Sequence, residues 1–320
     1  MATSINGDVD VVVGEFEETL ATLERRQPRV VVNTIGPFTE TAKRVIESLP
    51  GGTHYVDVGN ELGATRDVLA ASDRAVASGQ TLVASGGFGV LATESLVLHL
   101  LQERAGPQRV RVDAMGSVAL EAGRVGEALA KTIVGGIHDG AWRVSGGTLV
   151  RARLGSGAET FATPEGDRVS SACFPSGDLL AAWNASGADE VLAASSLAPR
   201  GLGAALVPMF AWITRVGPLR RAIIRRIARA EFQARPAPFA HSWARARMEW
   251  ASGERREGWL RAGDAMSFTV AALCEITRRL YEGEATPGAS TPGALFGPSL
   301  AEAAGGEFLR TVEAPAAEPT

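Results

Sequence analysis

The sequence predicts an α/β fold in which a doubly wound parallel sheet is followed by a second, α+β domain. In the first third of the chain, short runs of β-branched residues alternate with helix-like segments, the order from which parallel sheets are built. In the middle third, glycine-rich turns separate short alternating runs, which favours antiparallel strands. A length of 320 residues, 45% of them hydrophobic, is enough for two packed domains.

The first strand of the sheet shows the clearest pattern. Three consecutive valines, Val30 to Val32, predict a strand buried on both faces, and Gly36-Pro37 breaks any regular structure after it. A stripe of apolar residues then predicts a helix over 39–49, which Thr39 can cap. The same alternation predicts a helix over 15–24 before the valines and, after residue 49, strands over 54–58, 81–84 and 109–114 with helices over 65–78 and 93–103.

The carboxyl ends of the predicted parallel strands indicate a ligand site. Ligands of doubly wound sheets bind beyond these ends, because the loops there meet at one edge of the sheet. Glycines in the loops let the backbone approach a ligand closely, and each loop alone is equally well explained as a tight turn. Three such loops on one edge favour a site; they cover residues 33–38, 59–61 and 85–88.

The residues after 116 predict a second domain and a segment that returns to the first. Residues 245–251 alternate before a hairpin turn at Ser252-Gly253-Glu254, and a helix over 264–282 has Asp264 as its cap and Gly283 at its end. We therefore assign four parts: residues 1–115 to the sheet domain, 116–261 to an α+β substrate or dimerisation domain, 262–310 to a C-terminal helix and closing segment that pack on the first domain, and 311–320 to a disordered tail.

The stretch from Leu202 to Arg229 is first apolar and then rich in arginine. A basic amphipathic helix of this kind can lie on a membrane surface, so peripheral membrane or lipid contact is one interpretation. The other is a pair of helices that pack on their own domain with a solvated arginine face.

Composition excludes several functional classes. The net charge of −4 and the lack of a motif argue against nucleic-acid binding, despite 32 basic residues. Two cysteines, Cys173 and Cys274, form neither a metal-ligand motif nor a disulfide framework, so we expect no metal and a cytoplasmic, reducing compartment. Lys43 and Lys131 are the only lysines, and neither lies in a motif that supports a Schiff base.

Four segments in a fixed order carry a family resemblance. They are Val30-Val31-Val32-Asn33-Thr34-Ile35-Gly36-Pro37-Phe38, Gly52-Thr53-His54-Tyr55-Val56-Asp57-Val58-Gly59-Asn60-Glu61, Gly86-Gly87-Phe88-Gly89-Val90-Leu91-Ala92-Thr93-Glu94, and Thr291-Pro292-Gly293-Ala294-Leu295-Phe296-Gly297-Pro298. Together they resemble the saccharopine dehydrogenase-like oxidoreductases, including the branch of trans-acting enoyl reductases. The resemblance covers roughly residues 9 to 306.

The resemblance implies a Rossmann-like domain with an inserted α+β domain, and hydride transfer between NADP or NAD and a small-molecule substrate. With the apolar stretch near residue 206, the enoyl reductase branch implies a lipid- or polyketide-like substrate. Tyr55 and His54 are the candidate proton donors, and a homodimer is a further expectation. Residues expected near the cofactor are Asn33, Thr34, Gly36, Pro37, Phe38, Asp57, Gly86 and Gly87, and residues expected near the substrate are Asn60, Glu61 and Phe88.

The sequence departs from the family pattern in two places. It contains no G-x-G-x-x-G turn, so we expect an N-terminally incomplete Rossmann-like sheet without the first glycine-rich strand, turn and helix. Gly89 also stands where the family has an aspartate. A misassigned start or a natural short form would explain the missing glycine-rich turn. If the chain is a natural short form, the alternative function is a non-catalytic homologue that acts as a partner subunit or lipid-surface binding module.

Overall fold

The computed structural model describes residues 10–102, 104–199 and 202–313. The elements of the first part are, in chain order, α1 (Phe16–Arg26), β1 (Val30–Asn33), α2 (Phe38–Glu47), β2 (His54–Asp57), α3 (Leu62–Leu69), α4 (Ser72–Ala77), β3 (Thr81–Val83), α5 (Phe88–Leu101) and β4 (Arg109–Met115). The middle part continues with β5 (Gly123–Arg124), α6 (Gly126–Asp139), β6 (Ala141–Ser145), β7 (Thr148–Ala152), β8 (Glu159–Ala162), β9 (Arg168–Cys173), α7 (Asp178–Ser186), β10 (Glu190–Ser195), α8 (Leu202–Ile213), α9 (Gly217–Ala228) and β11 (Glu231–Phe232). The last part contains β12 (Ser242–Glu249), β13 (Arg255–Ala262), α10 (Ala265–Glu282), β14 (Gly288–Ser290), α11 (Pro292–Phe296), α12 (Ser299–Ala303) and β15 (Glu307–Glu313).

A small parallel sheet forms the first layer of the structure. Its four strands lie in the order β1-β2-β3-β14, with Val31 opposite Tyr55 and Val56 opposite Val83. On one face, α1 and α2 pack against Tyr55 and the next strand; on the other, Ile276 of α10 packs against Val56. Helices on both faces of a parallel sheet confirm the predicted α/β fold class.

The first strand occupies a different environment from the predicted one. β1 lies at the edge of the small sheet, and Val32 is 39% exposed. The prediction that this strand is buried on both faces is therefore wrong. A run of valines signals an apolar strand, but it does not tell a central strand from an edge strand.

A larger mixed sheet of nine strands forms the core of the second layer. Its main path is β15-β13-β12-β4-β10-β6-β7, and β9 and β8 extend it from β10. The pairs that β5 to β13 form with one another are antiparallel, as the sequence predicts, and β4 joins this sheet parallel to β10 and antiparallel to β12. The hairpin predicted at residues 252–254 is confirmed, since it joins β12 and β13.

The strand predicted over 109–114 belongs to this larger sheet and not to the parallel one. Val110 and Val112 face the apolar core, whereas Arg111 and Asp113 face each other across a buried ion pair at 2.8 Å. Alternation of this kind suits a sheet with two different faces, whereas the strands β2 and β3 are apolar on both sides. The fourth strand of the parallel sheet is instead β14, from the C-terminal segment.

Two predicted helices differ from the observed ones, and a third agrees. The helix expected over 65–78 is two helices, α3 and α4, with a break at residues 70–71. The residue before α2 is Pro37, so Thr39 lies inside the helix and is not its cap; the Thr39 amide is bound by the Glu61 carboxylate. The predictions for α10 are confirmed, since Asp264 accepts a hydrogen bond from the Ser267 amide and Gly283 adopts a left-handed conformation.

The C-terminal segment contacts both sheets. α10 packs on β1 and β2, and β14 pairs with β3. β15 pairs with β13 and runs to Glu313, so the first residues of the tail predicted to be disordered are a strand. Residues 314–320 of that tail, like residues 1–9 of the first predicted domain, lie outside the described part.

Candidate functional site

A cleft separates the small sheet from the second domain. β1 and β2 are parallel, so the loops after Asn33 and Asp57 leave the same edge of the sheet and form one wall of the cleft. Helices α6 and α9, with Phe174 and Pro175, form the opposite wall. The cavity has a volume of about 940 Å³, which suits a small-molecule site between domains.

The cleft brings together five of the residues that the sequence singles out. From the loop after β1 and the start of α2, it is lined by Gly36, Pro37 and Phe38. From the loop after β2, it is lined by Asn60 and Glu61. Two predicted loops therefore converge on one site, whereas the third, after β3, lies elsewhere.

Glu61 connects the two walls of the cleft. Its Oε2 accepts a hydrogen bond from the Thr39 amide at 3.0 Å, and its Oε1 accepts one from the Thr132 hydroxyl of α6 at 2.6 Å. Beside it, Asn60 accepts two hydrogen bonds from the Gly177 amide, one to its backbone oxygen at 3.1 Å and one to Oδ1 at 3.2 Å. These bonds fix the position of the second domain relative to the strand ends.

Some cationic side chains of the cleft are neutralised by neighbours. Lys131 is held by Glu40 at 3.0 Å and by Glu127 at 3.4 Å. The hydrogen bond to Glu40 raises the pKa of the Lys131 ammonium, so this group is charged at neutral pH. Arg66 lies 3.7 Å from Asp67.

Other cations of the cleft have no carboxylate partner in the part of the chain that the structure describes. The Arg151 guanidinium stacks on the Trp142 ring at 4.3 Å and donates to a backbone oxygen. Arg220 and Arg221 line the cleft from α9 and form no ion pair within the described residues. The Nε of Arg220 is buried without a hydrogen-bond partner in that same part of the chain. Because a buried donor without an acceptor is costly, these groups favour a ligand with an anionic group.

Part of the remaining lining is apolar and could contact the body of such a ligand. It comprises Phe38, Leu62, Leu129, Trp142, Phe174, Pro175 and Ile224.

Tyr55 lies in the core behind the cleft rather than in it. Its side chain is fully buried, its hydroxyl donates to Asp57 Oδ2 at 2.8 Å, and it accepts from Asn33 Nδ2 at 3.1 Å. Asp57 also accepts from the amides of Gly59 at 3.0 Å and Ser85 at 2.8 Å. Burial raises the pKa of Tyr55 above its ordinary value and that of Asp57 to about 6. This network positions the loops after β1, β2 and β3 and does not reach the cleft.

His54 and Thr34 are also outside the cleft. His54 opens β2 at the end of the sheet opposite to the cleft, and its Nδ1 accepts a hydrogen bond from the Thr81 amide at 3.0 Å. Burial, with a smaller effect of nearby Arg29, lowers the pKa of His54. Thr34 is exposed in the loop after β1 and is not among the residues that line the cavity.

The loop after β3 lies beneath α10. A side chain at Gly86 would come within 3.1 Å of the Asp57 carbonyl oxygen, which shows how closely the backbones pack there. The Phe88 ring is buried edge-on against Phe268, with ring centres 5.5 Å apart. Gly87 precedes α5 and lies near Thr269. These three predicted residues therefore contribute to packing in this structure.

Sequence reasoning assigned no site residue in the second domain. Arg220 and Arg221 belong to the arginine-rich stretch over 202–229 that the sequence marks, but the pattern does not place them at this cleft, and no local pattern marks Thr132. Lys131 could have been singled out as one of two lysines in the chain. The signal that connects them is the contact between domains, which becomes visible only when the chain is folded.

Two backbone amides that could face the diphosphate of a nicotinamide dinucleotide are already bound within the described residues. Such a diphosphate requires free amides at a helix N-terminus beyond a strand. At α2, the Thr39 amide is bound by the Glu61 carboxylate, which would also repel phosphate. At α5, the Phe88 amide is bound by the Thr269 hydroxyl at 3.0 Å.

The described residues contain neither a group of metal-binding side chains nor a membrane-spanning helix. Between residues 10 and 313, leaving out 103, 200 and 201, no three His, Cys, Asp or Glu side chains are grouped so that they could hold a metal ion. Within those limits, no helix has both the length and the apolar character needed to cross a bilayer.

Comparison with known structures supports the fold. The chain is similar to apo saccharopine dehydrogenase (L-Glu forming) from Saccharomyces cerevisiae, with 14% identity, 92% of this chain and 88% of that chain covered, and a TM-score of 0.54. It is also similar to a homospermidine synthase from Legionella pneumophila solved in complex with NAD, with 11% identity, 92% and 78% covered, and a TM-score of 0.49. The sequence matches no protein-family model and no curated protein. The first likeness shows a Rossmann-like dehydrogenase fold.

Proposed function

We propose that the chain is an oxidoreductase of the nicotinamide-dependent dehydrogenase type, and that its reaction takes place in the cleft. The observation that carries the proposal is the position of the cleft, where the carboxyl ends of β1 and β2 meet the second domain. Doubly wound sheets bind their ligands at this edge. The likeness to saccharopine dehydrogenase, which extends over 92% of the chain, gives the same architecture.

The substrate that this cleft would accept is an apolar molecule with one anionic group. Phe38, Trp142 and Phe174 offer an apolar surface, and Arg220 and Arg221 offer charges without an ion-pair partner in the described residues. An acyl chain or polyketide with a carboxylate or phosphate has this chemistry, and it suits the branch of trans-acting enoyl reductases that the sequence resembles.

Lys131 uses two of its three ammonium donors on Glu40 and Glu127, and the third could donate to a substrate oxygen on which negative charge develops. Its pKa is raised by the hydrogen bond to Glu40, so it remains an ammonium at neutral pH. The bound nicotinamide, NADP or NAD, would supply the hydride. The protein contributes orientation, through the Glu61–Thr132 contact between the walls, and this hydrogen bond, through Lys131.

Oxidation of NADPH or NADH in the presence of a 2-dodecenoyl thioester tests this proposal. We expect turnover by the unmodified chain, and we expect Lys131→Gln to lower the turnover rate by about 10²-fold. The control is Lys43→Gln, which removes the other lysine of the chain. Lys43 is not among the residues that line the cleft, so this variant should keep full activity. Equal rates in the two variants would remove Lys131 from the reaction. Absence of turnover with either nucleotide would contradict the enzymatic proposal.

A second candidate is a non-catalytic homologue that binds a ligand in the same cleft. The specific observation in its favour is that the amides of Thr39 in α2 and Phe88 in α5 are bound by side chains and are not free to bind a diphosphate. Binding of dodecyl phosphate without binding of NADPH or NADH would support this candidate. In that case we expect Arg220→Gln with Arg221→Gln to weaken dodecyl phosphate binding.

A further inference from the structure

Helix α8 exposes a line of large apolar side chains. Leu206, Met209 and Trp212 are 54%, 56% and 66% exposed. They are spaced three residues apart, so they lie on one face of the helix. Single exposed apolar residues are common on protein surfaces. Several of them on one helix face are not, and such a group indicates an interaction surface.

The apolar surface continues beyond α8. Val216, in the turn, and Leu219, at the start of α9, are nearly half exposed. Leu129 and Ile133 of α6 are exposed to a similar extent, and α6 packs against both α8 and α9. Exposed apolar side chains therefore occur on three neighbouring helices.

A cationic depression lies on α9 next to this patch. Arg225, Arg226 and Arg229 line an open concavity of about 600 Å³ together with Ala222 and Ala230. None of the three arginines forms an ion pair within the described residues. At 3.6 residues per turn, Leu219 falls on the same side of α9 as Arg226 and Arg229, so the apolar and cationic parts face the same way.

The combination of charge and apolar surface identifies the kind of partner. Trp and Leu side chains enter the interfacial region of a bilayer, while arginines on the same face contact anionic headgroups. A twofold dimer through this surface would bring the same three arginines into the interface from both copies, and the added positive charge opposes that arrangement. A nucleic acid would leave the exposed Trp212 and Met209 without an apolar partner.

We propose that α8 and α9 dock the protein on an anionic bilayer surface. Leu206, Met209 and Trp212 enter the interface, and Arg225, Arg226 and Arg229 contact lipid phosphates. Because Ile224 of α9 and Leu129 of α6 also line the cleft, docking would place the cleft near the bilayer. The docking proposal does not depend on the proposed reaction.

Co-sedimentation with vesicles tests the docking proposal. The full chain is mixed with phosphatidylcholine vesicles that contain 30% phosphatidylglycerol, or with pure phosphatidylcholine vesicles, at low and at high salt. We expect the chain to sediment with the anionic vesicles at low salt and to remain in solution with the neutral ones. Failure to sediment with anionic vesicles at low salt overturns the proposal.

Charge variants assign the binding to α9. Each arginine near an anionic surface strengthens binding roughly fivefold, so Arg225→Gln, Arg226→Gln and Arg229→Gln together should weaken partitioning by about a hundredfold. The matched control carries the same change of charge on exposed arginines elsewhere, Arg25→Gln, Arg153→Gln and Arg168→Gln. Equal loss in both triple variants would show that only net charge matters, which contradicts a defined docking surface.

A fluorescence measurement tests the apolar part of the surface. Lipids brominated on their acyl chains should quench the emission of Trp212 on docking, and Trp212→Phe should lose that quenching while still sedimenting. Sedimentation without a difference in quenching would contradict insertion of this helix face. In solution, a dimer that is dissociated by Met209→Ser would assign the patch to a second copy and overturn the membrane proposal.

Discussion

Glu94 is a fully buried carboxylate whose protonation should make the stability of the protein depend on pH. It lies in α5, is 0% exposed, and joins this helix to the C-terminal segment. It accepts hydrogen bonds from the Thr291 hydroxyl, from the Gly293 amide at 2.7 Å and from the Ala294 amide at 3.1 Å. Burial outweighs these bonds and raises the pKa of Glu94 from 4.5 to about 7.

The sign of the effect follows from the direction of this shift. The folded protein binds the Glu94 proton more tightly than the unfolded chain, so unfolding releases a proton between pH 4.5 and about 7. The free energy of unfolding therefore falls as pH rises through this range and is constant above it. At about 1.4 kcal/mol per pKa unit, the whole effect is about 3 kcal/mol, of which roughly 2 to 3 kcal/mol lies between pH 5 and 8.

Urea denaturation followed by tryptophan fluorescence measures this effect. Glu94→Gln is neutral at every pH, so the difference in unfolding free energy between the unmodified chain and the variant isolates Glu94. Two other shifted groups also make the unfolding free energy depend on pH. The raised pKa of Asp57 acts in the same direction as that of Glu94 at lower pH, and the lowered pKa of His54 acts in the opposite direction below 6.5. Both contributions are present in the unmodified chain and in the variant, so they cancel in the difference. A difference that is flat, or that rises with pH between 5 and 8, would refute the reasoning.

Three further predictions concern packing and the site. Gly177→Ala places a Cβ 2.5 Å from a threonine hydroxyl oxygen and should cost about 1 to 3 kcal/mol in urea denaturation, whereas Gly51→Ala, which has nothing within 4 Å, should leave stability nearly unchanged. Tyr55→Phe removes a buried hydrogen bond and should cost about 1 to 3 kcal/mol, yet NADPH turnover per folded molecule should stay within about twofold; a collapse of turnover would make Tyr55 catalytic. Thr132→Val removes the partner of Glu61 across the cleft and should weaken dodecyl phosphate binding with little change in melting temperature; unchanged affinity in a calorimetric titration would show that this contact does not shape the site.

The architecture of the small sheet could largely be predicted from local pattern. β2 and β3 are short apolar strands that lie between helices, and both were expected. β14, by contrast, is the three-residue sequence Gly288-Ala289-Ser290, which has no β-branched residue. It becomes a strand because α10 returns the chain to the free edge of β3, and contact between distant segments overrides local propensity.

The predicted site was correct where it depended on strand ends and incomplete where it depended on domain contact. Asn60 and Glu61 follow β2 directly, so their place at the cleft follows from the parallel order of the strands. Tyr55 and Asp57 are buried behind the cleft, which agrees with the other interpretation of His54 and Tyr55, a strand pair with one side chain buried. The groups from α6 and α9 reach the site through domain packing, which no periodicity in the sequence encodes.

The two proposals meet at α9. Arg220 and Arg221 line the cleft, while Arg225, Arg226 and Arg229 lie at the proposed bilayer surface. One helix would thus serve both a ligand site and a membrane contact. The variants of each set separate the two functions, since vesicle binding should depend on the second set and binding of dodecyl phosphate to the cleft on the first.

Direct binding of the nicotinamide nucleotide tests the central claim most directly. The melting temperature of the purified chain is measured across a titration of NADPH, and separately of NADH, up to about 5 mM. If the chain is a nicotinamide-dependent oxidoreductase, at least one nucleotide should raise the melting temperature in a saturable manner, because a ligand that binds only the folded state stabilises it. A melting temperature that stays constant with both nucleotides, while dodecyl phosphate raises it, would contradict the oxidoreductase proposal and favour the non-catalytic binding protein.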